Sequence, residues 1–111
     1  MNPESLKYVE DILDSIEMIE FHLMGIKSFS EYSSNLTVID AVERRLAIIG
    51  EALSKITKLE PELEITDQKK IIGLRHILVH DYDLIDDGTI WKITQNNLDI
   101  LKEELQKYLN N

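Results

Sequence analysis

Apolar side chains recur every three or four residues along most of this chain, and that periodicity restricts its fold more than any other feature. Over about residues 5–24 the recurrence is Leu6, Val9, Leu13, Ile16, Ile19 and Leu23. Asn2 or Ser5 can cap this first helix, and Gly25 follows closely enough to stop it. A second stripe, Val38, Val42, Leu46, Ile49, Leu53 and Ile56, predicts a helix over about residues 36–59, ended by Glu60-Pro61. A third helix is expected to open at Thr66 as N-cap, with Asp67 in its first turn. It carries Ile71, Leu74 and Leu78 on one face and reaches His80 or slightly beyond. The fourth runs from near Thr89 to Tyr108, on the stripe Trp91, Leu98, Leu101, Leu105 and Tyr108.

Between these stretches lie a Ser-rich connection at 27–35, a short link at 60–66 and an acidic, turn-like stretch at 83–88. Short links make neighbouring helices antiparallel, so the expected fold is all-α, an up-down four-helix bundle. With 111 residues, one domain covering 1–111 is expected. A layer of helices this small encloses no deep pocket of its own, which makes a subunit interface a natural place for a site. Four Gly and two Pro leave few places to turn, in keeping with a few long elements. Gly50 is an exception inside a helix, where it costs about 1 kcal/mol relative to Ala, and close approach of another helix is the reading that accounts for it.

Composition excludes several classes. Without Cys there is neither a disulfide scaffold nor a thiolate zinc site. The start Met1-Asn2-Pro3-Glu4-Ser5 has no basic, apolar leader, and no apolar run approaches the length of a membrane span, so a cytoplasmic location is expected. The net charge of −9 disfavours unspecific binding to nucleic acid; RNA contact needs a local basic patch, and DNA is not expected as a partner. Lys69 and Lys70 are candidates for that patch, although a solvated helix turn is the reading that explains them better.

Chemistry concentrates in Arg75-His76-Ile77-Leu78-Val79-His80-Asp81-Tyr82. At about 100° per residue, His76 and His80 lie roughly 40° apart on a helix, on one face. Arg75 and Tyr82 come within about 20° of each other if the helix persists that far, whereas Arg75 and His80 diverge by roughly 140°. Either the helix distorts, or a second copy supplies the missing partner across a two-fold axis. His moves protons near neutral pH, Arg braces phosphate oxygens through paired hydrogen bonds, and Tyr orients a phosphate or offers a hydroxyl. The set suits metal-independent RNA cleavage by attack of a 2′-OH on the neighbouring phosphodiester. It fits a plainer reading too: an Arg stem lying along apolar surface and a surface pair of imidazoles. No third ligand accompanies the two His, so no metal site is expected.

The order Arg75, four residues, His80, one residue, Tyr82 resembles the R-x-x-x-x-H-x-Y motif of the HepT-like branch of the HEPN superfamily. The setting is similar as well: Gly73-Leu74 before the motif, Trp91 after it, and Ala41-Val42-Glu43-Arg44 and Ile48-Ile49-Gly50-Glu51-Ala52 upstream. The resemblance implies a homodimeric helical bundle, with both motifs lining one cleft. It implies the toxin of a two-gene toxin–antitoxin module, a metal-independent ribonuclease with Arg75 and His80 as catalytic residues. The implied partner is a minimal nucleotidyltransferase antitoxin that uses ATP and Mg to place AMP on Tyr82; cleavage itself would need no cofactor. The chain departs from the pattern in two places. His76, expected as an RNA-binding or supporting residue, stands where this branch commonly has Asn, and Asp67-Gln68-Lys69-Lys70 occupies a region that often carries an aromatic residue. Glu51 is read as a partner for Arg75 or another Arg, or as part of the cleft; Arg44 and Arg45 are expected to face solvent or a partner subunit, and none of the three is assigned to catalysis. The alternative to a nuclease is a non-hydrolytic interaction or nucleotide-binding subunit whose main event is binding or modification by the nucleotidyltransferase.

Overall fold

A computed structural model describes residues 1–110, which are helical apart from short connections. Helix α1 spans Pro3–His22. Asn2 is its cap: the side-chain Oδ1 accepts from the Glu4 N–H at 2.8 Å, and Pro3 fills the first position, where a missing N–H costs nothing. Ser5, the other candidate cap, is instead buried within the helix. Beyond His22 the chain turns through Gly25, whose φ of 84° is the left-handed conformation that glycine adopts without strain.

The Ser-rich connection holds a helix that periodicity did not reveal, α2, Phe29–Ser33. Ser28 Oγ accepts from the Glu31 N–H, and the Glu31 carboxylate accepts from the Lys27 N–H at 2.7 Å, a reciprocal arrangement that closes so short a helix. Its one buried residue, Tyr32, inserts into the core against Trp91, with ring centroids 5.5 Å apart. A single inward side chain leaves no repeat to detect.

Helix α3, Leu36–Leu59, has the expected bounds and is capped by Asn35, whose Oδ1 accepts from the Val38 N–H. Helix α4, Gln68–His80, starts later than expected, and Thr66 does not cap it. The Thr66 N–H and hydroxyl both donate to Glu104, tying the α3–α4 link to the last helix. Asp67 takes the cap position without a capping bond, and its carboxylate accepts from Asn97 Nδ2 at 2.9 Å.

A 3₁₀ turn at Tyr82–Leu84 follows, and Asp86 caps α5, Asp87–Lys92, by accepting from both the N–H and the hydroxyl of Thr89. The expected fourth helix is α5 and α6 (Leu98–Leu109) joined through a π-helical turn at Ile93–Asn97. The buried residues Ile90, Ile93, Leu98, Leu101 and Leu105 explain the turn. The step from Ile93 to Leu98 is too long for an α-helical face, and the wider π turn absorbs the extra residue while both keep facing inward. The expected stripe passed over Ile90 and Ile93 in favour of the half-buried Trp91.

Helix α1 packs on α3 and α6, and α3 packs on α4. Gly50 meets Arg75 while Glu43 and Arg44 lie beside Leu78 and Val79, so α3 and α4 run antiparallel. Met1 and Leu6 lie by Tyr108 and Leu109, and Glu20 pairs with Lys102, so α1 and α6 also run antiparallel. The architecture is the expected up-down bundle of four long helical segments. Its core is Val9, Ile12, Ile16 and Ile19 from α1, Val42, Leu46, Ile49, Leu53 and Ile56 from α3, Ile71 and Leu74 from α4, and the α5–α6 residues above. Burying each such side chain contributes roughly 1.5–3 kcal/mol.

Gly50 is buried in the α3–α4 contact. A β-carbon there would collide with the Arg75 side chain at its root and would stand 3.1 Å from the Ile71 carbonyl oxygen. Glycine therefore lets α4 lie against α3 with its motif end at a fixed height. Among the described residues, no helix is long and apolar enough to cross a membrane.

Candidate active site

The motif occupies the exposed end of α4, and its residues divide between two surfaces. Arg75 roots against Gly50 and reaches across α3, where its Nη2 lies 2.8 Å from Glu51 Oε2. Glu51 also faces Lys55 at 3.9 Å, so one carboxylate sits between two cations. Arg75 forms part of the wall of an open groove of about 380 Å³ between α1, α3 and α4. Tyr8, Asp11, Arg44, Glu51 and Val79 line the same groove. Its walls carry two cations and two carboxylates. Glu51 and Asp11 are held by Arg75 and Lys7, while Arg44 pairs with no carboxylate among the described residues. Sequence reasoning set Arg44 aside; its place three residues before Ala47 on the α3 face that meets Val79 puts it in the groove.

His80 is the last residue of α4 and does not line that groove. Its ring stacks on His76 with centroids 4.9 Å apart and planes inclined by 45°. Asp81 Oδ2 stands 3.6 Å from His76 Nε2. The expected shared face of the two imidazoles is therefore present, and so is the divergence of Arg75 from His80. Within one chain the structure does not bring Arg75 and His80 together.

Tyr82 departs from the angular expectation. The helix stops at His80 because Asp81 leaves the helical region (φ −133°, ψ 48°), and Tyr82 begins the 3₁₀ turn instead of aligning with Arg75. A run of Asp near a helix C-terminus opposes the helix dipole, which favours termination there. Tyr82 is 72% exposed, and Val79 and Leu84 beside it are exposed apolar residues. Lys69 and Lys70, exposed in the first turn of α4, lie about 15 Å along the helix from His80 at about 1.5 Å per residue. They line a separate recess with Ile65 and Gln68, not the Arg75 groove.

In the core, Tyr32 is fully buried and its hydroxyl has no hydrogen-bond partner among the described residues. Burial, reinforced by the Glu43 and Asp87 carboxylates, pushes its pKa above the ordinary phenol value. The Glu43 carboxyl is likewise raised, first by burial and then by Asp87 and Asp40. Among the described residues, no group of three or more His, Asp or Glu is placed to hold a metal ion.

In this all-helical bundle the motif Arg75-x₄-His80-x-Tyr82 straddles the end of the third long helix, as expected of a HEPN-type domain. The chain belongs to the Ribonuclease HepT-like family, whose sequence model matches residues 12–108. It is 34% identical over 101 residues to a Methanocaldococcus jannaschii protein whose name carries an RNase assignment, covering 89% of this chain and 91% of that one. It is 32% identical over 104 residues to the "Probable ribonuclease HepT" of Thermococcus cleftensis, with 90% and 91% covered. A further M. jannaschii relative, 31% identical over 103 residues, has a name that joins gamma-glutamylcyclotransferase to an RNase assignment. The match takes in 92% of this chain but 46% of that relative, so the chain spans about half its length. No solved structure matches the chain. Its class is therefore a HEPN ribonuclease.

Proposed function

We propose that the chain is the toxin of a toxin–antitoxin module, a metal-independent RNA endonuclease whose site forms between two copies of the chain. The observation that carries this reading is the separation of Arg75 from His80: one is anchored on Glu51 in the α1–α3–α4 groove, the other stacks on His76 outside it. A two-fold pairing of α4 ends would bring the Arg75 of one copy to the His80 of the other. Exposed Val79, Tyr82 and Leu84 give such a pairing apolar surface to bury.

In the composite cleft His80 takes the proton of the RNA 2′-OH, and the 2′-oxygen attacks the adjacent phosphorus. Arg75, braced by Glu51, donates two hydrogen bonds to the phosphate oxygens as their charge grows. Arg44, unpaired in the same groove, adds positive charge where a net charge of −9 otherwise repels RNA. Tyr82, exposed on its turn, is the acceptor through which a nucleotidyltransferase antitoxin silences the site, using ATP and Mg. The AMP adduct sets a further phosphate and a nucleotide beside the motif, obstructing RNA.

The test is complementation. Arg75→Ala and His80→Ala homodimers should each fail to cut RNA in EDTA. Mixing them through an unfolding–refolding step should restore cleavage, because the mixed dimer holds one intact composite site. Mixed dimers that stay inert beside an active wild type would place Arg75 and His80 in one chain. Incubation with the cognate nucleotidyltransferase and Mg-ATP should add AMP to the wild type and not to Tyr82→Phe. Modification of a chain that never cleaves RNA would favour the non-hydrolytic interaction subunit instead.

A further inference from the structure

Cleavage by an internal 2′-OH needs two proton transfers, one from the nucleophile and one to the departing 5′-oxygen. The proposed function assigns only the first. Arg cannot supply the second, because its guanidinium does not release a proton near neutral pH.

The helix end carries a second imidazole in position to do so. His76 lies one turn before His80 on the same face, with ring centroids 4.9 Å apart. Two rings at that spacing can each come within about 2.6–3.2 Å of a different oxygen of one phosphodiester. His76 is exposed to solvent and so to substrate. Asp81 Oδ2 stands 3.6 Å from its Nε2, an ion-pair distance for the protonated ring. His80 has no carboxylate partner among the described residues. Of the other charged groups on the neighbouring elements, Arg75 turns to Glu51, Asp83 lies on the following turn, and Asp40, Glu43 and Arg44 of α3 flank Leu78 and Val79. The two imidazoles thus differ in one respect: a carboxylate faces His76, and none pairs with His80 among the described residues.

We propose that His76 is the general acid of the reaction, that Asp81 is its positioning residue, and that the chain cleaves RNA with two histidines from one helix. The inference rests on the ribonuclease reading above. His80 accepts the 2′-OH proton while the 2′-oxygen forms its bond to phosphorus. The P–O5′ bond breaks with its electron pair on O5′, and O5′ takes the proton from His76. The products are a 2′,3′-cyclic phosphate and a free 5′-OH, with the proton now on His80 instead of His76. Exchange with water resets both rings.

The experiment compares two substrates that differ only in their need for an acid. On RNA, His76→Ala and His76→Asn should each lower the cleavage rate by about 10²–10⁴-fold, the range a general acid supplies. On uridine 3′-(p-nitrophenyl phosphate), whose phenolate leaves unprotonated, both variants should cleave at a rate close to wild type. His80→Ala should lose both reactions, and Asp81→Asn should follow His76→Asn with a smaller loss confined to RNA. His76→Asn keeps a polar side chain of similar reach, so it separates proton transfer from folding. Wild type that cuts RNA alongside equally active His76 variants would overturn the acid assignment and leave the nuclease reading standing. Equal loss on both substrates would overturn it as well, showing a binding or structural role. Wild type inert on RNA would overturn both.

Discussion

Replacing Gly50 with Ala tests the packing that places Arg75. In an ordinary helix interior the change stabilises by about 0.8–1 kcal/mol, because Ala loses less backbone freedom on folding. At Gly50 the new methyl would meet the root of the Arg75 side chain and lie 3.1 Å from the Ile71 carbonyl. Neither neighbour can rotate away, since a β-carbon and a helical carbonyl are fixed by the backbone. The helices must separate, and forcing a methyl into a packed contact costs about 1–3 kcal/mol. With the cost near the top of that range, the expected net loss is roughly 1–2 kcal/mol, or a fall in Tm of roughly 4–8 °C for a chain of this size. Gly73 is the control: it lies in the same helix as Arg75, and a methyl there meets nothing within 4 Å. Gly73→Ala should therefore raise Tm by a few degrees, gaining roughly 0.5–1 kcal/mol. Both are read from thermal and urea unfolding at one fixed protein concentration, since assembly itself shifts Tm. If Gly50→Ala is as stable as Gly73→Ala, the close approach of α3 and α4 at this point is refuted.

Glu51→Gln removes the ion pair to Arg75, whose side chain is 32% exposed, so stability should change by less than about 1 kcal/mol. RNA cleavage should nevertheless fall by about 10–10²-fold as Arg75 loses its brace, and a melt showing wild-type Tm with wild-type turnover would count against that role. Tyr32→Phe deletes a buried hydroxyl that has no partner, so urea unfolding should show a variant at least as stable as wild type, by up to about 1 kcal/mol. A loss of comparable size would mean that the hydroxyl is hydrogen-bonded after all. Glu43 supplies the pH dependence. Its folded-state pKa is raised, so between the unfolded value and the higher folded one the native state binds more protons, and stability falls as pH rises through that window. Glu43→Gln should be the more stable protein at neutral pH and should lose that advantage below the ordinary carboxylate range. A stability difference that stays constant across a pH series would contradict the assignment.

The long helices were legible because burial imposes a period: the α3 stripe from Val42 to Ile56 is buried as expected. In α1, Ile12 sits deeper than the expected Leu13, since two adjacent apolar residues cannot be ranked without knowing where the neighbouring helices lie. Legibility failed where one contact outweighs a pattern. Tyr32 gives α2 its place in the core through a single ring, and Thr66 resembles a cap until Glu104 accepts both of its donors. The π turn was hidden because a helix was assumed to keep one pitch from Thr89 to Tyr108. At the site, the pairing of His76 with His80 and the divergence of Arg75 followed from helical geometry alone. The carboxylate that holds Arg75 was one of two readings for Glu51, and only the α3–α4 packing decides between them. The place of Arg44 in the groove was not legible, because membership of a groove depends on three helices at once.

The stop at His80 also sets a time scale. The Tyr82–Leu84 turn is closed by two backbone hydrogen bonds, Leu84 N–H to the Asp81 carbonyl and Ile85 N–H to the Tyr82 carbonyl, and it buries no residue of its own. Opening it leaves α4 and its core contacts intact, so it is a local event well below the free energy of global unfolding. Amide exchange at Leu84 and Ile85 should outpace that of the α4 interior by orders of magnitude. An enzyme that needs the Tyr82 hydroxyl in its own active site can draw out this one turn from a folded protein, without waiting for the bundle to come apart.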